Sequence, residues 1–248
     1  MKSRSRFLLV SLATLVGVGL TLALGRWQLQ RAAYKEDLAQ QVQARAALVP
    51  LPQDALLALE PDGLPPQAQR RTALRGVWLP QHTVALDNRQ MLEKQGFFIM
   101  TPLQLDASGA VVLVQRGWLP RNFLQRDALL PFETPAGVVE VAGTIALAPA
   151  RLYAFDAAEK GTIRQNRDIA NYRIETGLPL RDFMLVQQGP ASEGLLRSWP
   201  APNLGIERHY GYAFQWFSLA ALIAGLYFWF QWLRPRWRAK DQLPDDRT

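Results

Sequence analysis

Two long uncharged stretches interrupt an otherwise mixed chain. Phe7 to Leu24 holds eighteen residues without a formal charge, and Tyr210 to Leu233 holds twenty-four. At about 1.5 Å of rise per residue, the longer run spans roughly 36 Å, enough to cross a bilayer core of about 30 Å. Transmembrane helices are therefore predicted over residues 7–25 and 210–233. The first run is longer than a signal-peptide core and is followed at once by Arg26, Trp27 and Arg31, as in a retained anchor. From Arg26 to Leu48 the residues are mostly Gln, Arg, Ala, Lys, Glu and Leu with no Gly or Pro, so the helix is expected to continue as a stalk over 26–48. Pro50, Pro52, Pro61, Pro65 and Pro66 then break it, leaving room for a short helix near Asp54–Leu59.

The middle of the chain reads as strands. Apolar, β-branched runs fall at Thr72–Trp78, Thr83–Asp87, Gly96–Pro102, Ala110–Gln115, Val138–Ile145 and Phe183–Gln188. A turn is expected between Asp106 and Gly109, and short helices over Arg121–Leu129 and Asp168–Glu175. Short strands at this spacing predict an antiparallel barrel or sandwich over residues 49–208. The fold class expected is thus α+β: two transmembrane helices flanking a β-rich extramembrane domain, with a tail over 234–248 that is expected to be polar and disordered beyond Lys240.

Charge refines this picture. The formal balance is +7, but Lys2, Arg4 and Arg6 precede the first apolar run, and Arg234, Arg236, Arg238 and Lys240 follow the second. Positive residues outside both apolar ends place both termini in the cytoplasm and residues 26–208 on the far side. No recognition motif accompanies the charge, so nucleic acid is not an expected partner. Cysteine is absent, which removes disulfides, thiolate metal sites and cysteine nucleophiles. There is no Gly-rich phosphate loop, no Gly-x-Ser-x-Gly elbow and no His-Glu-x-x-His helix, and the chain is not expected to be an enzyme. Asp127 and Glu133 fall in a Pro-bounded loop and read as solvated.

Chemistry concentrates at the mouth of the second apolar run. His209 is one of two histidines and stands where that helix enters the membrane. Its helical neighbours at i+3, i+4 and i+7 are Tyr212, Ala213 and Trp216. The bland reading is an interfacial residue bonded to water or headgroups. His82, the other histidine, follows Pro80 in a turn and reads as a loop residue; the two are too far apart in sequence to form a metal-spacing motif. Arg26, Arg31 and Arg208 are expected near the outer membrane surface, either as anchors or as partners for carboxylates. Arg116-Gly117-Trp118 reads as the structural end of a strand, with Gly117 at a turn or bulge. Small residues at Ala13 and Gly17, and at Ala220, Ala221, Ala224 and Gly225, allow close helix approach, either to each other or to another membrane protein.

Four motifs occur in order along the chain. They are Gly25-Arg26-Trp27-Gln28-Leu29-Gln30-Arg31 with Lys35, Leu74-Arg75-Gly76-Val77-Trp78, Gly96-Phe97-Phe98 with Thr101-Pro102 and Val114-Gln115-Arg116-Gly117-Trp118-Leu119-Pro120, and finally Arg208-His209-Tyr210-Gly211-Tyr212-Ala213-Phe214-Gln215-Trp216-Phe217. With the two apolar runs around them, they resemble the surfeit-locus-one (Shy-type) family of cytochrome c oxidase assembly factors. The resemblance implies a two-pass protein of the cell inner membrane with its central domain in the periplasm. It implies a chaperone-like role in respiratory chain biogenesis without catalytic turnover, and haem a as a transient cofactor. His209 is then the expected axial ligand to the haem iron, with Tyr212 and Trp216 beside the macrocycle and Arg26, Arg31 and Arg208 facing its propionates. The partners implied are the cytochrome c oxidase catalytic subunit, haem a synthase and membrane lipid. The alternative is a haem-free scaffold that stabilises an oxidase assembly intermediate.

Overall fold

The computed structural model describes residues 2–106, 108–122, 125, 128–147, 161–165, 169–199 and 204–236. The chain divides into two compact units: residues 41–201, and residues 1–40 together with 202–248. The architecture is α+β, with an apolar helix before and after a β-rich domain.

Helix α1 runs unbroken from Lys2 to Ala47. Its interior contains no proline, and Pro50 and Pro52 bar its continuation. Helix α4, Ile206–Phe228, starts at Gly205, whose left-handed φ of 62° a glycine adopts without strain. It continues through a π-helical turn at Trp229–Leu233 to Arg236. Both helices are long and apolar enough to cross a membrane, and most of their apolar surface is exposed.

The β-rich unit contains β1 (Arg71–Trp78), β2 (Val84–Met91), β3 (Lys94–Leu105), β4 (Val111–Pro120), β5 (Val138–Ala146), β6 (Ile163–Arg164) and β7 (Leu180–Gln187). The order β1-β5-β7-β4-β3 closes on itself because β3 returns to β1, so five strands form a barrel. The pairing is antiparallel except between β4 and β7. Strand β3 serves two partners along one edge: its first half pairs with β2 from Lys94 to Met100 and its end pairs with β1 from Leu103 to Leu105. Pro102, which has no N–H to donate, sits where the partner changes. At the closing seam a Cβ on Gly76 would lie 2.2 Å from the Gln104 carbonyl oxygen, so only glycine fits there. Strand β2 lies outside the closed ring on β3, and two-residue β6 extends it in parallel.

Strand β4 is buried along nine of its ten residues because both of its faces are covered. Val112 and Val114 point into the barrel with Leu74, Leu103, Val141, Ile145, Phe183 and Leu185. Val111 and Leu113 face a second cluster formed with Met100, Met184, and Ile169 and Tyr172 of α3 (Ile169–Thr176). The short helix expected near Asp54–Leu59 is α2, Gln53–Leu57, which places Leu56 in the barrel core. The expected helix over Arg121–Leu129 does not form at its described residues, which are irregular, and the others lie outside the described residues. Asp127, Asp168 and the tail beyond Arg236 lie outside them as well.

Arg116-Gly117-Trp118 is not a strand end but the middle of β4. The register with β3 passes from Gln115–Met100 to Gly117–Ile99, leaving Arg116 as the extra residue of a bulge. The bulge turns a fully buried guanidinium inward, 4.7 Å from the Trp78 ring. It donates to Thr134 Oγ1 at 2.7 Å, to the Glu133 carbonyl at 2.8 Å and to Glu193 Oε2 at 2.6 Å. Arg197 donates to the Arg116 carbonyl at 2.7 Å and reaches the same Glu193 oxygen at 3.4 Å. Burial pushes the Arg197 guanidinium pKa down and Glu193 opposes that shift. One carboxylate thus holds two buried cations. Trp118 is buried and donates its Nε1–H to the Arg89 carbonyl at 2.8 Å.

Removing the shared carboxylate leaves two buried guanidinium groups without their counter-ion. Glu193→Gln is expected to destabilise the protein by about 3 kcal/mol, read by urea unfolding of the full chain in detergent. A Cβ at Gly117 would sit 2.6 Å from Leu195 Cβ. Gly117→Ala should therefore cost about 1–3 kcal/mol by overpacking. Changes below about 0.5 kcal/mol, the ordinary surface value, would contradict both assignments.

Candidate functional site

In lipid, apolar side chains gain little by leaving one apolar environment for another, so helices adhere through close packing and polar bonds. The second unit follows this rule. On α4 a stripe turned from the surface runs through His209, Ala213, Trp216, Ala220, Ile223 and Tyr227, spaced alternately by four and three, with half-buried Phe217 beside it. On α1 the matching stripe is Gly17, Thr21, Gly25, Gln28 and Ala32. A Cβ at Gly25 would lie 2.8 Å from the Phe217 ring, so the glycine admits that ring against the α1 backbone. Ala13, Ala221, Ala224 and Gly225 are exposed and play no part in this seam. The small-residue pattern therefore joins α1 to α4 through Gly17, Gly25, Ala213 and Ala220.

A ladder of hydrogen bonds runs along the seam. Ser11 Oγ and Tyr227 OH are 2.6 Å apart at one end. His209 Nδ1 lies 2.7 Å from Gln28 Oε1. Tyr210 OH donates to Glu36 Oε1 at 2.9 Å, and Lys35 Nζ donates to the Leu204 carbonyl at 2.6 Å. The helices thus run antiparallel, and His209 is half-buried between them.

Cations gather around His209. Lys35 and Arg31 are near enough to act on its charge. Lys35 Nζ and Arg208 Nε each lie 3.9 Å from the position a Cβ would take on Gly205. Of the expected site residues, His209 and Trp216 lie on the seam, Arg31 is near enough to act on the His209 charge, and Arg208 is exposed beside Gly205 at the start of α4. Trp216 is half-buried two turns beyond His209. Tyr212 is 51% exposed on the flank of α4, away from the seam. Arg26 is exposed, and no described contact joins it to His209. His82 lies in the other unit, in a 3₁₀ turn, where its carbonyl accepts from Tyr172 OH.

The donor set suits one axial ligand to a haem iron. A neutral imidazole bonded through Nδ1 to an amide oxygen keeps a lone pair on Nε2. The neighbouring cations suit an anionic group such as a propionate. Among the described residues, no three His, Asp or Glu groups converge as a metal site. Gln28, Lys35 and Glu36 are the site residues that sequence spacing did not single out. Their partners stand 174 or more residues away in all but the Lys35 pair, which is separated by 169.

A model described as the SURF1 family matches residues 15–221. A SURF1-like protein of Drosophila melanogaster is 27% identical, covering 84% of this chain and 73% of its own. A SURF1-like protein of Rickettsia bellii is 26% identical, covering 87% and 88% respectively. The cytochrome oxidase assembly protein SHY1 of Saccharomyces cerevisiae is 27% identical over 42% of this chain and 26% of its own.

The seam yields a direct structural test. A Cβ at Gly17 would lie 3.7 Å from Ile223 Cδ1. In a chain without native cysteine, Gly17→Cys with Ile223→Cys is expected to crosslink within one chain through a short bifunctional thiol reagent. Adding Gly25→Leu should force the Phe217 ring away and lower the crosslinking yield severalfold on a gel-shift assay. An unaffected yield would show that Gly25 does not set the helix approach.

Proposed function

The chain belongs to the SURF1 family, and from that premise we propose that it acts in cytochrome c oxidase assembly as a two-pass inner-membrane protein that holds haem a at the outer membrane surface. The observation that carries this reading is the half-buried His209, bonded through Nδ1 to Gln28, with Lys35 and Arg31 near enough to act on its charge. The name of the yeast relative, a cytochrome oxidase assembly protein, supports the process.

Orientation follows from charge. The helices run antiparallel, so Arg4 and Arg6 lie at the same side as Arg234 and Arg236. Positive residues favour the cytoplasmic face. His209 and its cations are then at the periplasmic mouth, and residues 41–201 follow on that side.

Haem a, if bound, would supply an iron centre, and His209 would hold it through a neutral imidazole nitrogen. His209 presents that nitrogen. Arg31, Lys35 and Arg208 offset anionic charge beside it, and the half-buried Trp216 contributes an aromatic wall. Tyr212 and Arg26, both exposed, remain available to a ligand or to lipid on the outer surface. The β-barrel unit offers the surface on which an immature oxidase catalytic subunit docks, with haem a synthase as the source of the cofactor. The chain's role is that of a carrier and chaperone.

Co-expression with haem a synthesis enzymes, purification and absorption spectroscopy test the reading. Wild type should copurify with haem a, and His209→Ala should lose most of it. Equal haem in the variant would remove His209 as ligand, and none in either protein would leave a haem-free assembly scaffold. Protease added to intact spheroplasts should cleave the segment between the helices; protection there would reverse the topology.

A further inference from the structure

The ligand reading leaves open which ring nitrogen His209 presents and what decides it. A histidine free in water favours the tautomer with its proton on Nε2, which leaves no lone pair there. We propose that Gln28 is a positioning residue that reverses this preference, holding the proton on His209 Nδ1 so that the lone pair on Nε2 faces outward for ligation. This inference rests on the haem-binding reading above and adds a residue and a role to it.

Three observations carry the inference. First, the contact is short and sheltered: Nδ1 and Oε1 are 2.7 Å apart, and Gln28 is only 9% exposed. An amide oxygen accepts and cannot donate, so a neutral ring bonded to it must carry its proton on Nδ1. Second, Gln28 has little freedom to leave. It lies on the packed face of α1 between Gly25, which admits the Phe217 ring, and buried Ala32. A polar side chain withdrawn from its partner in such a seam is left without a replacement. Third, the bond crosses between helices, over a separation of 181 residues. The ring is therefore oriented by the helix pair rather than by its own helix, and it is presented only when α1 and α4 are docked.

Ligating histidines commonly donate their second ring N–H to an oxygen acceptor, which fixes the tautomer and strengthens the ligand; loss of that acceptor typically weakens metal affinity by about 10–100-fold. Gln28 supplies such an acceptor from the neighbouring helix. The seam then has a second duty besides holding the helices together.

The test begins on the haem-free full-length protein in nanodiscs, labelled with ¹⁵N-histidine and carrying His82→Gln so that His209 gives the only imidazole signals. His82 takes part in described hydrogen bonds only through its backbone, so the replacement is mild. Long-range proton–nitrogen correlation spectra, recorded at a pH about two units above the ordinary imidazole pKa of about 6.5, separate protonated from unprotonated ring nitrogens. Wild-type Gln28 should give a protonated Nδ1 and a bare Nε2. Gln28→Leu should return the ring to the Nε2–H form, while Gln28→Glu, which keeps an acceptor oxygen, should retain the Nδ1–H form. An Nε2–H ring in the wild type, as when the Gln28 amide nitrogen faces the histidine, would overturn the proposal. So would an unchanged tautomer in Gln28→Leu.

Ferric haem titrated into the same nanodiscs supplies the second readout. Gln28→Leu should weaken binding by about 10–100-fold, with Gln28→Glu much nearer to wild type. Equal affinity in Gln28→Leu and wild type would overturn the positioning role. Failure of the wild type and of His209→Ala alike to bind haem would sink the ligand reading itself, while the nitrogen spectra would still decide what Gln28 does to the ring.

Discussion

The constraint on which the helical unit depends is that lipid gives two apolar helices no hydrophobic reason to associate. Contact must come from backbone approach and from polar groups that find each other. Gly17, Gly25, Ala213 and Ala220 allow the approach, and Ser11–Tyr227, Gln28–His209 and Glu36–Tyr210 make the bonds. Once those bonds exist, the imidazole is no longer a free interfacial group. Its orientation is a property of the helix pair, and the cations of both helices come with it. The proposed haem site therefore rests on the same interactions that hold the helices together.

The β-rich unit solves a different problem. A five-stranded ring has little interior volume, and its open ends must be stopped. Here a bulge in β4 turns Arg116 inward against Trp78, and Glu193 and Arg197 lock it in place. A buried cation pair on one carboxylate is a poor source of net stability but a strong one of specificity, because every alternative register strands a charge. The ring is completed by the Gly76 seam, where strand backbones approach too closely for any side chain.

Much of this was legible from residue pattern, and the gaps have physical causes. The β-branched runs located six strands because their alternation and length are local properties. Two-residue β6 escaped because only its parallel pairing with β2 makes it a strand. A barrel was one of the two alternatives the strand spacing allowed, and choosing it over a sandwich needed the long-range β1–β3 contact. The Arg116-Gly117-Trp118 motif was read as structural, yet its bulge in mid-strand needed the register of β3 to be seen. At the site, His209 was singled out by its place at the mouth of an apolar helix. Tyr212 was grouped with it because i+3 is a helical neighbour, but the seam runs through 209, 213 and 216 and leaves 212 on the flank. Gln28 went unmarked because glutamine is unremarkable in a helix until its partner 181 residues away is known.

The central claim is that His209 binds the haem iron directly. The most direct measurement is electron–nuclear double resonance on the ferric haem a complex of protein labelled with ¹⁵N-histidine. The account predicts a strong ¹⁵N hyperfine coupling from one imidazole nitrogen, present with His82→Gln and absent with His209→Ala. A haem-bound wild type that shows only the ¹⁴N couplings of the macrocycle would contradict it.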